Sequence, residues 1–418
     1  MRAASRFATI ASALLVWLVP HGAGAESTPS PWTQRPPEDP ARLRACSFRH
    51  PLCVHANLPE TILTVLSDAE RAWDAAVGPL ALPPPDPSPS TRAYDIYLTD
   101  RTPNDVLTAF DERDTLSRFD RASAFTLLDP RLTGCARTQA VARGLLRAIA
   151  YRTTPGLDPA GGEAQTSYLA QLIAPCAAAE ASALGTFQAH PERAIPDAWP
   201  EWSSEAGASF SRGAALFYDW MDGSFGQEPG SLVRAMWALS PRIAPSREPD
   251  GFDVLRASFK NALSTGSTLD DLLSGFGVAR ALVPPVPMPV RMDWQIDWPA
   301  KPRRLAPRDP TAPTGSAYVV IRRGDAPKGA RLRVEVSWEE HAKMRWVVVK
   351  RDPAGRELSR VPIASAERAI EAQGSIVDLD TVDSLLIVGT NTGDPFEPFD
   401  PDDAIWEPHG WRLTVAAE

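Results

Sequence analysis

Residues 133–176, TGCARTQAVARGLLRAIAYRTTPGLDPAGGEAQTSYLAQLIAPC, decide how the first half of this chain is read. The stretch reads as two helices joined by a Pro155-Gly156 turn and bracketed by Cys135 and Cys176. An antiparallel hairpin centred near Pro155 sets Cys135 opposite Cys176 and Arg147 opposite Glu163. Each arm is then roughly 20–24 Å long at ~1.5 Å per residue.

The remaining cysteines, Cys46 and Cys53, lie upstream. Hairpin geometry favours Cys135–Cys176, which leaves Cys46–Cys53 as the second disulfide. Disulfides require an oxidising compartment, and the first residues suit export. Residues 1–25 carry Arg2 and Arg6 ahead of an apolar run from Ala11 to Val19, and they end in Ala23-Gly24-Ala25. That is the pattern of a signal peptide cleaved after Ala25. The expected location is secreted or periplasmic, with no transmembrane segment in the mature chain. Lysine is scarce and Arg, Ala and Pro abundant, a bias of high-GC bacterial genomes.

The chain has 43 Lys and Arg against 52 Asp and Glu, a formal net charge of −9. Phosphate neutralisation needs a basic face, so nucleic-acid binding is disfavoured.

Residues 26–45 form a Pro-rich, flexible leader. LCVHA (52–56), AYDIYLTD (93–100) and ASAFTLLD (122–129) read as strands, and residues 59–79 as a long amphipathic helix. Residues 203–283 are mostly helical by pattern. LVPPVPMP (282–289) breaks every helix and places a linker at 284–292 between a domain over 46–283 and another over 293–418. In the second domain AYVVIRR, ARLRVEVSW, MRWVVVKR, RELSRVPI, SLLIVGT and GWRLTVA alternate as short strands, with a hairpin turn at DPAG (352–355). They predict an antiparallel β-sandwich.

The order strand, long helix, strand, strand, helix, helix over residues 50–280 resembles the gluzincin-type zinc metallopeptidases of secreted bacterial proteins. In that family one helix carries H-E-x-x-H and the next supplies a Glu as third ligand. The matching pentapeptide here is RGLLR. Arg143 and Arg147 stand at the two His positions, Gly144 at the base position, and Glu163 where the third ligand would lie. The resemblance implies an α+β fold, with a zincin-like domain of mixed upper lobe and helical lower lobe ahead of the sandwich. It also implies a degenerate site. A guanidinium has no lone pair for a cation and stays protonated, so zinc is expected to be lost and Glu163 to pair with Arg147 or Arg143. The bland alternative is that both arginines lie on a solvated helix face.

Three other clusters stand out. Cys46, His50, Cys53 and His55 fall within ten residues, a zinc-like composition that export turns toward a disulfide. Asp394, Asp400, Asp402 and Asp403, with Glu397 and Glu407, could hold calcium through carboxylate oxygens. Trp294, Trp298, Trp338, Trp346, Trp406 and Trp411 could stack on sugar rings, although strand Trp is more often core. Glu205 could approach the cleft of the first domain.

The resulting expectation is an exported, catalytically inactive metallopeptidase-like protein that binds an unknown protein or cell-envelope component, without catalytic residues or zinc. The alternatives are a hydrolase whose residues carry no local motif, and a carbohydrate- or calcium-binding protein acting through the sandwich.

Overall fold

The computed structural model describes residues 34–37, 42–100, 102, 105–113, 121–155, 157–197, 205–243, 251–259, 266–282, 289–366, 368–396 and 407–418. The expected signal peptide, most of the leader and most of the Pro-rich linker lie outside the described residues.

The first domain is built on a five-stranded sheet of order β1-β2-β3-β5-β4. Its strands are β1 (Leu43–Cys46), β2 (Leu52–Ala56), β3 (Tyr94–Leu98), β4 (Val106–Arg113) and β5 (Ala122–Leu128). β2, β3 and β5 run parallel, while β1 and β4 are antiparallel edges. Parallel neighbours need crossovers, and α1 (Pro59–Val77) supplies the one between β2 and β3. Pro59 starts α1 where its missing N–H costs nothing. Ile62, Val65, Ala69, Ala72, Trp73 and Ala76 form its buried stripe.

The sequence-predicted hairpin is present as α2 (Gly134–Thr153) and α3 (Pro159–Ile173). Nearly every residue of α2 from Gln139 to Ala150 is buried, because the helix is enclosed by the sheet on one side and by α1 and α3 on others. Asp158 caps α3 by accepting from the Gly161 N–H at 2.6 Å. A helical layer follows: α4 (Ala177–Ala189), α5 (Glu205–Gly213), α6 (Ala215–Phe225), α7 (Ser231–Ile243), α8 (Gly251–Phe259) and α9 (Leu269–Leu282). Phe187, Phe210, Phe217, Phe252 and Phe276 join its core to that of the sheet.

The second domain is a two-sheet sandwich, so the chain is α+β with helices and sheets largely segregated. One sheet has the order β11-β10-β13-β8-β6 and the other β12-β9-β14-β7. These strands are β6 (Trp294–Asp297), β7 (Arg303–Leu305), β8 (Ser316–Arg322), β9 (Leu332–Trp338), β10 (Met344–Arg351), β11 (Glu357–Ile363), β12 (Glu371–Ile376), β13 (Ser384–Asn391) and β14 (Trp411–Ala417). Inward residues of both sheets, among them Val319, Val334, Val348, Ile387 and Leu413, form its core. The expectation of a purely antiparallel sandwich needs one correction: edge strand β6 runs parallel to β8.

The two domains pack closely. The outer face of the β8–β10–β13 sheet carries a second apolar patch: Tyr318, Val320, Val349, Leu386 and Val388 cluster with Val278 of α9 and with Val290. The Tyr318 hydroxyl donates to the Gly277 carbonyl at 2.7 Å. Arg280, 2% exposed, lies 3.7 Å over the Phe187 ring and donates to the Phe187 carbonyl and to Gln188 Oε1. Burial pushes its guanidinium down to about 10.

Candidate functional site

The hairpin α2/α3 brings Arg143 and Glu163 together. Arg143 Nη1 donates to Glu163 Oε1 at 2.7 Å, and Nη2 donates to Asp105, at the start of β4. Arg212 of α5 closes the network by donating to both Asp105 oxygens at 2.9 Å. Arg143 is 5% exposed, so the solvated-face reading is excluded for it. Burial works against the charge on Asp105, but Arg143 and Arg212 outweigh it and hold the carboxyl below its ordinary range. The same burial opposes the Arg143 cation, and Asp105 and Glu163 more than offset it.

The hairpin register differs from the expected one. Glu163 meets Arg143, one turn before Arg147. Arg147 turns its guanidinium over the Tyr151 ring at 4.9 Å, beside Gly162, where a methyl group would overlap its Nη1. The reason is steric: the missing side chain at 162 leaves room that the guanidinium fills, and Tyr151 offers a cation–π partner.

Gly144, at the base position, is held by close packing. A Cβ there would lie 2.8 Å from Thr126 Cγ2 and 3.3 Å from Val106 Cγ2. Its carbonyl accepts from Thr108 Oγ1 at 3.2 Å, and Thr108, Thr126 and Tyr94 form a buried hydroxyl chain. The helix therefore approaches the sheet at this point too closely for any side chain.

A cavity of about 400 Å³ opens beside the network, lined by Asp105, Arg131, Gln139, Arg143, Ser167 and Arg212 among others. Its walls combine hydroxyls, amides and ion pairs with the methyl groups of Ala179 and Ala183. Gln139 Nε2 donates to Glu180 Oε1 at 2.9 Å, and the Arg131 guanidinium forks onto Asp129.

Both expected disulfides are present, Cys46–Cys53 and Cys135–Cys176. The Cys46/His50/Cys53/His55 zinc composition is thereby excluded, since its thiols are bonded to each other. His50 Nε2 instead meets Asp74 Oδ1 at 2.9 Å, and His55 Nε2 meets Asp95 Oδ1 at 2.7 Å. Among the described residues no group of three or more His, Cys, Asp and Glu is arranged to hold a metal ion. Of the calcium candidates, Asp394 accepts from the Phe396 N–H at 2.6 Å and meets His341 Nδ1 at 3.2 Å. Glu407 is exposed, while Glu397, Asp400, Asp402 and Asp403 lie outside the described residues, as does Trp406. Trp338, Trp346 and Trp411 are buried in the sandwich core, and Trp298 packs against it. Trp294 is exposed, with Arg308 above its ring. The side chain of Glu205 is outside the described residues.

Sequence reasoning missed Asp105 and Arg212. Asp105 precedes β4, whose sequence VLTAFDER has no regular alternation, and nothing local ties either residue to α2. It also missed β4; α4, whose Ala-rich sequence has no amphipathic stripe; and β1, β6, β7 and β12, which are short or largely exposed.

No protein-family model matches the chain, and no curated protein matches it. Among solved structures it shows similarity to the chitosan-binding module 1 of a chitosanase/glucanase from Paenibacillus sp. IK-5. That likeness has 13% identity, covers 27% of this chain and 75% of that one, and has a TM-score of 0.17. A second is to the infectious bursal disease virus VP2 subviral particle, with 12% identity, 28% and 32% coverage, and a TM-score of 0.19. Likenesses this slight carry no argument about fold or function.

No helix among the described residues is long and apolar enough to cross a membrane. With two disulfides, the chain fits an oxidising compartment.

Proposed function

We propose that the chain is an exported, catalytically inactive relative of the gluzincin-type metallopeptidases that works as a binding or structural protein. The observation that carries the reading is the Arg143–Glu163 ion pair, extended to Asp105 and Arg212. In the resembling family these two helices hold a divalent ion. Here the helix that would present the first imidazole presents a buried cation, and the Glu that would be the third ligand neutralises it. A second cation could enter only by displacing Arg143 from two carboxylates. Gly144 has no group to activate water and no room for one. What remains is a rigid, neutral, hydrogen-bonding wall beside a polar cavity, suited to holding a polar ligand without transforming it.

The test is metal content and proteolysis on the purified mature protein. It should retain less than stoichiometric zinc after dialysis and leave denatured casein intact. One tightly bound zinc per chain, or casein cleavage that a chelator stops, overturns the reading.

A further inference from the structure

The face of the first sheet away from the helices is covered in a distinctive way. Side chains alternate along strands, so Tyr94, Ile96 and Leu98 of β3 face the helices, and Asp95 and Tyr97 face outward with Phe125 and Leu127 of β5 and Leu107, Ala109 and Asp111 of β4. Onto this face come residues 34–37 of the leader, a segment expected from sequence to be flexible throughout. Residues 34–37 are instead seated through one side chain, Arg35.

Its contacts are those of a built site. Arg35 Nε and Nη2 fork onto the Asp111 carboxylate at 3.0 and 2.6 Å, and Nη1 donates to Asp95 Oδ2 at 2.6 Å and to the Tyr97 hydroxyl at 3.0 Å. Its Cζ stands 5.3 Å from the Phe125 ring centre and 5.8 Å from that of Tyr97. Asp95 is fully buried, and its other oxygen is taken by His55 Nε2. A carboxylate so placed needs a cation, and the geometry of two carboxylates, a phenol and two aromatic rings suits a planar guanidinium rather than an ammonium. The neighbours of Arg35 are far less engaged. Gln34 and Pro37 are exposed, and a cavity of about 720 Å³ remains against the leader, lined by Arg42, Asn57, Thr61, Leu98 and Thr99 among others.

We propose that this sheet face is an arginine-recognition site, occupied in cis by Arg35 of the leader and able to take the arginine side chain of an extended peptide when the leader leaves. Residues 34–37 are thus a removable plug. The cavity beside it gives the residues flanking an incoming arginine somewhere to sit.

The experiment uses the full mature chain carrying Arg35→Ala and titrates it with N-acetyl-arginine amide and N-acetyl-lysine amide. The variant should bind one equivalent of the arginine probe saturably, and the lysine probe roughly tenfold more weakly, because an ammonium cannot fork. The unaltered chain should bind neither, and adding Asp111→Asn to Arg35→Ala should weaken the arginine probe at least about tenfold through loss of the charged acceptor. A folded variant that binds no arginine probe overturns the proposal, as does equal binding by the unaltered chain or indifference to Asp111→Asn. Should Arg35→Ala fail to fold alone, refolding is repeated with each probe present. Rescue by arginine but not by lysine supports the site, and rescue by neither overturns it.

Discussion

Arg143 on α2 and Glu163 on α3 meet at 2.7 Å in the interior of the first domain. They are twenty residues apart in sequence, and their bond ties the two arms of the hairpin near its middle while Cys135–Cys176 ties its open end.

Removing one partner should cost more than removing both. Arg143→Met leaves Glu163 facing a buried apolar group and Asp105 with Arg212 alone. We expect a loss of about 3 kcal/mol, at the lower end for a broken buried pair because Glu163 keeps some contact with water. Arg143→Met with Glu163→Leu should recover part of that loss. Urea unfolding of the parent, the two single variants Arg143→Met and Glu163→Leu, and the double variant, read as a double-mutant cycle, measures it.

Zinc ligation can be offered to the same helices. Arg143→His with Arg147→His, keeping Gly144, should create a zinc site completed by Glu163, and Glu163→Ala should abolish it. Adding Gly144→Glu should instead impair folding, because its side chain is driven into Thr126 and Val106. A folded double variant that takes up no zinc counts against kinship with zinc peptidases.

Two carboxyls of the first domain, Asp105 and Asp158, should give opposite pH signatures. The Asp105 carboxyl is held below its ordinary value of 3.8, so its contribution is full above that value and is lost as pH falls through the folded value. Asp105→Asn should therefore destabilise at pH 7 and lose its effect in acid. Burial pushes the Asp158 carboxyl up, against the Gly161 N–H and Arg147. Its charge opposes folding at pH 7, and stability drops as pH rises from 3.8 through the folded value. Asp158→Asn retains the helix cap and should be neutral or stabilising at pH 7. Thermal unfolding between pH 3 and 7 compares the two signs.

The disulfides should differ in worth. Cys135–Cys176 closes a separation of 41 residues and Cys46–Cys53 one of 7. Chain entropy then assigns about 4 kcal/mol to the first and about 2.5 kcal/mol to the second. Denaturant unfolding of the two double-serine variants should rank them in that order.

The sandwich should not stand alone where the Pro-rich segment suggests. A fragment 290–418 exposes Tyr318, Val320, Val349, Leu386 and Val388, which Val278 of α9 helps to cover. Sedimentation should find it self-associated, and fragment 266–418, which retains α9, monomeric.

Local chemistry determined much of this protein. Helical spacing and Pro-Gly punctuation marked α1, α2 and α3, alternation marked β8, β9, β10, β13 and β14, and the hairpin's symmetry paired Cys135 with Cys176. Those signals survive in sequence because each depends on residues within one element or one turn. The tertiary structure alone decided that Glu163 meets Arg143 and not Arg147, since that depends on Gly162 leaving space for one guanidinium. It decided that Gly144 is a contact between helix and sheet, which needs Thr126 and Val106 across the interface. It drew Asp105 and Arg212 to Arg143, and Arg35 to Asp95 and Asp111, because the cost of burying a charge is met only by partners that folding brings from distant segments.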